Sequence, residues 1–463
     1  MKRTQKLKSF VDKSKMRIGN FFKGFSEGNI ITKGSFFVMG LGQLLRGQIF
    51  KGLLYLATQV MFFYFMITSG ASNIAGLKTL GTKMQERVWD EARGIFVVAK
   101  GDNSMLMLLF GVASIFIIIA FIITYVMSVH GSIENEKLML KGKKPNNLKQ
   151  DIQLYLNDKY HVTVLTLPVL LTFLFTIVPL VFMILIAFTN FDRNHQPPGN
   201  LFTWVGFENF SAVLWNDPLK SKTFVDLLIW TLIWAVLATA LNYIFGMVLA
   251  LMINKKGIKI KKFWRTIFVV TIAVPQFVSL LLMSQLLADR GTLNVILKEF
   301  GLIKTFLPFL TDPSWAKVSV IVVNLWVGVP YSMLITSGIL MNIPTDLYES
   351  AKIDGANAWV QFWKITLPYM LFVTGPYLIT QFIGNINNFN VIYLLTRGGP
   401  LSLNYFQAGK TDLLVTWLYK LTVNEQNYSL ASTIGIFIFL ISAFFSLIVF
   451  NKTASTQQEE DFQ

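Results

Sequence analysis

Long apolar segments alternate with short polar ones along the whole chain. Eight of them reach the roughly 20 residues that a helix needs to cross a bilayer; they run approximately over residues 52–69, 105–129, 163–189, 224–253, 266–288, 317–341, 369–394 and 429–450. None alternates apolar and polar positions with the period of two that is typical of strands, so helices must satisfy the backbone in lipid. The pattern predicts an all-α membrane protein with eight transmembrane helices.

Composition and charge agree with this prediction. Of the 463 residues, 53% are hydrophobic and 14% are charged, which is more apolar surface than one soluble core buries. Alternate loops hold 24 Lys and Arg residues on the side of the N-terminus and 14 on the other side. Because cytoplasmic loops carry the excess of cations, we expect both termini in the cytoplasm. The net charge of +16 is concentrated beside the predicted spans, which indicates topology and anionic headgroups rather than nucleic acid.

A Lys-rich loop divides the chain into an accessory part and a working core. The predicted divisions are a basic cytoplasmic N-terminus, a region with two spans and a cytoplasmic loop, a core with six spans, and a cytoplasmic tail: residues 1–35, 36–162, 163–450 and 451–463. A glycine-punctuated stretch, "MGLGQLLRGQIFKG" at 39–52, precedes the first span. Its glycines lack the strand and the spacing of a dinucleotide site, so we expect a packing or interfacial role.

Several kinds of chemistry find no support in the sequence. The absence of Cys excludes disulfides and thiolate metal sites, and His130, His161 and His195 are scattered without metal-ligand spacing. The Gly-Lys-Thr within residues 408–414 lacks the glycine that a phosphate-binding loop needs five residues before Gly409. We therefore predict no catalytic residue, no metal site and no cofactor bound by this chain.

Charged residues are nearly absent from the predicted spans. Asp226 and Lys317 lie near span ends, whereas ion-coupled carriers keep acids or bases inside the membrane for their function. An ion-coupled secondary carrier is therefore the weaker alternative. Prolines within the spans predict kinks rather than straight rods; they are Pro168, Pro179, Pro275, Pro330 and Pro376.

Amides and glycines line one face of each of two predicted spans. The sixth and seventh spans repeat the helical spacing i, i+3, i+4 and i+7; the residues are Asn324, Val327, Gly328 and Tyr331, and Gln381, Gly384, Asn385 and Asn388. Amides that both donate and accept hydrogen bonds, with a tyrosine ring, suit an uncharged polyhydroxylated ligand. The same residues also suit close packing and hydrogen bonding between helices, and the pattern alone leaves both interpretations open.

The polar stretch "IPTDLYESAKIDGANAWVQFWKITLP", residues 343–368, separates these two spans. Thr345 is a plausible N-cap, and Gly355 readily takes the left-handed conformation that ends a helix. A second helix is expected from about Ala356. The stretch predicts a helix, turn and helix on the cytoplasmic face, which by itself is compatible with a plain interfacial hairpin.

The same stretch resembles the "EAA" loop of ABC importer permeases, EAAxxDGAxxxxxFxxIxLP. Nine positions match, namely Glu349, Ala351, Asp354, Gly355, Ala356, Phe362, Ile365, Leu367 and Pro368, and Ser350 replaces the second alanine. In that family the loop docks in a cleft of a separate ATP-hydrolysing subunit. The resemblance implies that residues 345–368 couple ATP hydrolysis in a partner to movement of the spans.

The resemblance extends over about residues 160–450 and is closest to the larger, MalF-like subunit of maltose and maltodextrin importers. Matching stretches include "WVGFENF" at 204–210, "VNLWVGVPY" at 323–331 and "NNFNVIYLLTRGGP" at 387–400. It implies the type I ABC importer permease fold, a MetI-like core of six helices plus two N-terminal helices. It also implies a sugar site on the two polar faces, joined by Gln276. Departures from the family at Ile272, Gln276, Gln381 and Gly384 leave the sugar open between maltodextrin and another glycoside such as a galacto-oligosaccharide.

The resemblance also implies an assembly in the plasma membrane of a bacterium. The expected partners are a second, MalG-like permease, two MalK-like ATPases that hold ATP and Mg, an extracellular sugar-binding protein or lipoprotein, and membrane lipid. Some relatives insert a folded domain in the outer loop that here spans only residues 190–223. The short loop is compatible with a Gram-positive cell, where the binding protein is usually tethered to the membrane as a lipoprotein.

Overall fold

The computed structural model describes residues 21–255 and 257–452. Residues 1–20 of the predicted basic N-terminus and residues 453–463 of the predicted tail lie outside the described residues. The chain forms two compact units, the first ending at Leu185 with Asn194–Trp204 added, and the second comprising Ile186–Arg193 and the chain from Val205 onward. The four predicted divisions of the chain remain predictions.

The first unit is built mainly from helices. In chain order its elements are α1 (Ile30–Gly34), α2 (Leu41–Leu44), α3 (Ile49–Phe65), α4 (Ala71–Gly76), β1 (Arg87–Asp90), β2 (Ile95–Val98), α5 (Ser104–Leu140), α6 (Leu148–Leu156), α7 (Tyr160–Thr172) and α8 (Val178–Ile186). Short π-helical turns make α3 continuous with α4, at Met66–Gly70, and α7 continuous with α8, at Phe173–Ile177.

A small hairpin of β1 and β2 is the feature of this unit that the hydrophobic pattern missed. Arg87 pairs with Val98 and Asp90 with Ile95 in antiparallel register. Asp90 Oδ1 accepts a hydrogen bond of 3.0 Å from the backbone N–H of Ala92, and Gly94 adopts a φ of +62°. The turn chemistry thus closes two strands that are too short to show a periodic pattern.

The glycine-punctuated stretch at 39–52 packs against α5. A packing role was one of the two roles predicted for it, the other being interfacial. Arg46 is buried and donates hydrogen bonds of 2.6 Å to the carbonyl oxygen of Ser132 and to Oγ1 of Thr32. Glu136 lies 3.8 Å from the same guanidinium. A Cβ on Gly42 would stand 1.9 Å from the Ser132 hydroxyl, so only glycine allows this approach.

The second unit contains the helices α9 (Glu208–Ser211), α10 (Pro218–Asn254), α11 (Lys261–Ala273), α12 (Gln276–Leu286), α13 (Thr292–Glu299), α14 (Pro313–Leu340), α15 (Thr345–Ile353), α16 (Ala358–Gln361), α17 (Leu367–Ile386), α18 (Phe389–Thr396), α19 (Leu414–Val423) and α20 (Tyr428–Lys452). Its two long buried helices start with the same signal. Asp217 and Asp312 cap α10 and α14 by accepting backbone hydrogen bonds, and a proline follows each as the first helical residue.

Within the described residues, six helical segments are long and apolar enough to cross a membrane: Ile49–Gly76, Ser104–Leu140, Tyr160–Ile186, Pro218–Asn254, Pro313–Leu340 and Tyr428–Ile448. Helices α11 and α12 meet at an angle of 89° beside Pro275 and make a seventh if they count as one span. The predicted span 369–394 is broken between α17 and α18, because Asn387 ends the first helix and Asn388 caps the second. The predicted all-α class is confirmed, but the count of eight spans is not.

Candidate functional site

A polar cavity of about 380 Å³ lies within the second unit, among α10, α11, α12, α14 and α17. Amide side chains form much of its lining; they are Asn242, Gln276, Asn324, Gln381, Asn385 and Asn388. No Asp, Glu, Lys or Arg of the described chain lines it. Its size falls in the range of small-molecule sites, and its chemistry suits an uncharged ligand rich in hydroxyl groups.

The structure brings together almost all of the residues that the sequence placed at a ligand site. The cavity is lined by Gln276, Asn324, Val327, Gly328, Tyr331, Gln381, Asn385 and Asn388. Gly384 is the exception, since it is exposed and does not contribute to the lining. The cavity side of α17 follows the i, i+4 line from Gln381 to Asn385, and Gly384 falls on the adjoining flank of the helix.

Asn242 lines this cavity but was not predicted from the sequence, and the same is true of Thr271, Ser279 and Trp326. Asn242 lies in the middle of α10, where it is buried. A Cβ on Gly328 would stand 2.0 Å from Nδ2 of Asn242, so the glycine on α14 makes room for the amide on α10. An amide in the centre of a 37-residue apolar helix was the available signal, because such groups are costly in a membrane interior unless they have a role.

Two amide atoms of the lining lack a hydrogen-bond partner among the described residues. They are Oδ1 of Asn242, an acceptor, and Nδ2 of Asn324, a donor, and both atoms are buried. A buried polar group without a partner costs about 1–3 kcal/mol. A ligand that both accepts and donates hydrogen bonds, as a sugar hydroxyl does, would satisfy them.

Other amides of the lining are held in place by their neighbours. Nδ2 of Asn385 donates a hydrogen bond of 3.0 Å to Oγ1 of Thr239. The backbone carbonyl oxygen of Asn385 accepts a hydrogen bond of 3.1 Å from the indole N–H of Trp234. Asn388 donates to Oδ1 of Asn385 over 3.3 Å. The cavity therefore combines fixed amides, on α17 and at the cap of α18, with unsatisfied amide atoms on α10 and α14.

The stretch between α14 and α17 forms the predicted helix, turn and helix. Its first helix starts one residue earlier than expected: Thr345, the predicted N-cap, is already the first helical residue, and Pro344 holds the N-cap position without a side-chain hydrogen bond. Its end matches the prediction, because Gly355 has a φ of +80°. The N–H of Ala356 bonds the carbonyl of Ala351 at 2.8 Å and that of Gly355 bonds the carbonyl of Lys352 at 3.0 Å, the two bonds of a Schellman cap.

The second arm of the loop is anchored in the unit. Helix α16 begins at Ala358, two residues after the predicted start at Ala356, and Asn357 caps it by accepting the N–H of Val360 at 2.9 Å. A π-helical turn, Phe362–Thr366, leads directly into α17. Three motif residues pack against a buried cluster that includes Tyr243, Met247 and Met370; they are Phe362, Ile365 and Leu367.

The tip of the loop is exposed. Glu349, Ser350, Asp354 and Gly355 are exposed, and Ala351 and Ala356 are half-buried. Ile353 is 87% exposed and Trp359 is 69% exposed. Pro368, also exposed, is the second residue of helix α17. An acidic surface with protruding apolar side chains has the character of a protein contact site.

Comparison with known proteins agrees with these features. Residues 242–452 match the family described as binding-protein-dependent transport system inner membrane component. The chain is 36% identical over 435 residues to the maltodextrin transport system permease protein MdxF of Bacillus subtilis, covering 91% of this chain and 95% of the relative. It is 35% identical over 425 residues to the galactooligosaccharides transport system permease protein GanP of the same organism, covering 91% and 97%.

The fold is also found among solved structures. One chain of the bacterial alginate ABC transporter, in complex with alginate pentasaccharide-bound periplasmic protein, has a TM-score of 0.52 at 22% identity, over 65% of this chain and 95% of that chain. That likeness concerns the fold alone. The two relatives match this chain at more than a third of the aligned positions over nearly its full length. The family match spans both the polar cavity from Asn242 and residues 345–368, which we call the coupling loop after its resemblance to the "EAA" loop. The chain therefore belongs to the binding-protein-dependent transport system inner membrane components, the membrane-spanning permease subunits of ABC importers.

Proposed function

We propose that this permease carries an uncharged oligosaccharide across the membrane, with maltodextrin as the first candidate and a galacto-oligosaccharide as the second. The observation that carries the proposal is the charge-free, amide-lined cavity of about 380 Å³ with a free acceptor on Asn242 and a free donor on Asn324. Both sugars are candidates because the maltodextrin and galactooligosaccharide permeases have similar sequence identities to this chain, 36% and 35%.

In this proposal the chain itself breaks no covalent bond. A second permease completes the path, two ATPase subunits hold ATP and Mg, and an extracellular sugar-binding protein delivers the substrate. The exposed loop tip around Glu349 and Gly355 inserts into an ATPase subunit. Support comes from the nine matched loop positions and from the exposure of that tip.

Movement of the loop reaches the cavity through one helical path. The π-helical turn Phe362–Thr366 continues into α17, which carries Gln381 and Asn385 to the cavity wall. When the ATPases close on ATP, the loop and α17 shift together, and the cavity opens outward to take the sugar. ATP hydrolysis then makes the cavity open toward the cytoplasm, and the amides release the sugar there.

The same proposal places both termini and the coupling loop in the cytoplasm of a Gram-positive cell. The excess of Lys and Arg in the loops on that side supports the orientation. The short outer loop 190–223 supports a tethered binding lipoprotein rather than one gripped by a large inserted domain. Labelling of single introduced cysteines in intact cells at positions 352 and 194 tests it, since only position 194 should react with an impermeant reagent.

Transport by the reconstituted complex tests which sugar is carried. We expect maltodextrins to compete for uptake into proteoliposomes better than galacto-oligosaccharides, and Asn324→Ala to raise the half-saturating sugar concentration. Asn387→Ala is the matched control, because Asn387 is an exposed amide that does not line the cavity. Equal effects of the two variants would contradict the assigned site. Uptake by this chain alone under an ion gradient would instead establish a secondary carrier.

A further inference from the structure

A second cavity lies at the base of the coupling loop and differs from the first in charge. It measures about 450 Å³ and is lined by residues that include Asn254, Lys261, Lys262, Arg265, Thr345 and Tyr348. Three of these carry positive charge, and none of the described Asp or Glu side chains contributes to the lining. The cavity therefore concentrates positive charge where α10, α11 and α15 approach one another.

The cations of this cavity are only partly satisfied by the protein. Arg265 Nη2 donates a hydrogen bond of 2.8 Å to Oδ1 of Asn254, and Lys261 Nζ donates one of 3.0 Å to the carbonyl oxygen of Asn254. Within residues 21–255 and 257–452 no salt bridge to Lys261, Lys262 or Arg265 is formed. Nε of Arg265 is buried without a hydrogen-bond partner.

An unsatisfied guanidinium beside two ammonium groups calls for an anionic acceptor. Arg binds phosphate through several of its N–H groups at once, and such charge-assisted bonds are about twice as strong as neutral ones. A buried guanidinium nitrogen left without an acceptor costs free energy. A phosphate group has both the charge and the oxygen atoms that this cavity lacks.

The surroundings of the cavity indicate where that phosphate comes from. Helix α11 places Lys261, Lys262 and Arg265 at its start, and its aromatic side chains Phe263 and Trp264 are exposed and lie with ring centroids 5.6 Å apart. Further along the helix, Ile267 and Val270 are exposed as well. Exposed aromatic rings beside cations, followed by an apolar surface, are typical of a helix end at the headgroup level of a membrane.

We propose that this cavity binds the phosphate group of an anionic phospholipid in the leaflet that faces the coupling loop. The lipid tails would lie along the exposed apolar surface of α11, and the phosphate would receive hydrogen bonds from Arg265 and Lys262. Because Thr345 and Tyr348 belong to the first helix of the coupling loop, the bound lipid links that helix to α11. The cytoplasmic position of the leaflet rests on the proposed orientation, but binding of the lipid does not depend on the transported sugar.

Native mass spectrometry of the purified complex tests the proposal. The complex is exchanged into detergent containing equal amounts of phosphatidylglycerol and phosphatidylcholine, and the lipid that stays bound is identified. We expect the wild-type complex to retain phosphatidylglycerol preferentially. Lys262→Gln with Arg265→Gln should weaken this retention by about tenfold, since each cation near a membrane surface contributes to the attraction of anionic lipid.

A matched control uses two exposed lysines of the first unit, Lys143→Gln with Lys144→Gln, which should leave the retention unchanged. Lys262→Gln alone, at an exposed side chain, should give a smaller loss and guards against misfolding of the double variant. The proposal is overturned if the double variant retains as much phosphatidylglycerol as the wild type, or if the wild type does not discriminate between the two lipids. Displacement of the lipid by an equal amount of inorganic phosphate would overturn the lipid assignment, because a free anion would then be the ligand.

Discussion

The phenolic oxygen of Tyr348 lies 2.9 Å from the hydroxyl oxygen of Thr366. This hydrogen bond joins α15, the first helix of the coupling loop, to the last residue of the π-helical turn that leads into α17. The two arms of the loop are thereby held together at their base, while Gly355 at the far end bends the chain. In the proposed mechanism, force applied at the exposed tip is transmitted to the cavity amides of α17 through this closed base.

Removing either partner of that bond should weaken coupling. We expect Tyr348→Phe and Thr366→Val each to lower the free energy of unfolding by about 1 kcal/mol, the usual net contribution of such a hydrogen bond. The double variant should cost little more than either single one, because both remove the same interaction. The sugar transported per ATP hydrolysed by the reconstituted complex measures the effect. Fully additive losses would show that the two hydroxyl groups act independently.

The backbone conformation at Gly355 gives a second prediction. A Cβ at this position meets no atom within 4 Å, yet the φ of +80° is strained for residues with a side chain. Gly355→Ala should therefore destabilise this turn by about 1–2 kcal/mol through backbone strain alone, and it should reduce sugar uptake. Gly355→Asn is the matched control and should keep more of the activity, since Asn tolerates the left-handed region. Equal uptake by the two variants would argue against a conformational role for this glycine.

The polar cavity gives a third prediction. Gly328→Ala introduces a methyl group that would stand 2.0 Å from Nδ2 of Asn242, so it must displace that amide and reshape the cavity. We expect weaker sugar uptake with the protein still inserted in the membrane. Gly338→Ala, on the same helix but in open space, should leave uptake unchanged, because alanine is the better helix former. Loss of uptake in both variants would point to the helix rather than the cavity.

A buried ion pair outside the cavity gives a fourth prediction. Lys420 Nζ donates to Oδ2 of the fully buried Asp412 at 2.5 Å. Burial raises the pKa of the Asp412 carboxyl, and Lys420 opposes that rise. Lys420→Met should destabilise the protein by about 3–5 kcal/mol, because it leaves a buried charge unpaired. Lys222→Met removes an exposed partner of Asp226 and should cost under about 1 kcal/mol.

The pH dependence of the Lys420→Met variant follows from the same carboxyl. The folded-state pKa of Asp412 already lies above its unfolded value of about 3.9 because of burial, and loss of the lysine raises it further. Protonated Asp412 then favours the fold, so the variant should regain stability as the pH falls and lose it as the pH rises through the folded pKa. Thermal unfolding in detergent across the acidic range measures this. A loss of stability that is the same at every pH would contradict the explanation.

Much of the fold was predictable because it depends on long runs of apolar residues. The helices α5, α10 and α14 exceed 25 residues, and a run of that length is typical of a membrane span. The bend beside Pro275 was also foreseen, since proline cannot continue a helix. The break after Ile386 was not foreseen, because Asn387 and Asn388 interrupt an apolar run that is still apolar enough in composition to be predicted as one span. The hairpin of β1 and β2 is too short for any periodic signal.

The candidate sites were predictable to the extent that their residues are close in sequence. The coupling loop is one continuous stretch, so its turn at Gly355 could be placed from the Asp-Gly pair alone. The cavity depends on contacts between helices far apart in the chain. Asn242 was missed for that reason, since its approach to Gly328 across α10 and α14 is a matter of packing that helical periodicity does not describe.

Coupling through the loop is tested by sugar uptake into proteoliposomes that contain the whole complex, with the wild type compared with Gly355→Pro and Glu349→Lys. Proline cannot adopt the φ of +80° found at Gly355, and lysine reverses the charge of an exposed residue at the loop tip. We expect wild-type uptake that requires ATP and the loaded binding protein, and a collapse of uptake in both variants while membrane insertion persists. Uptake at the wild-type rate in these variants would contradict it.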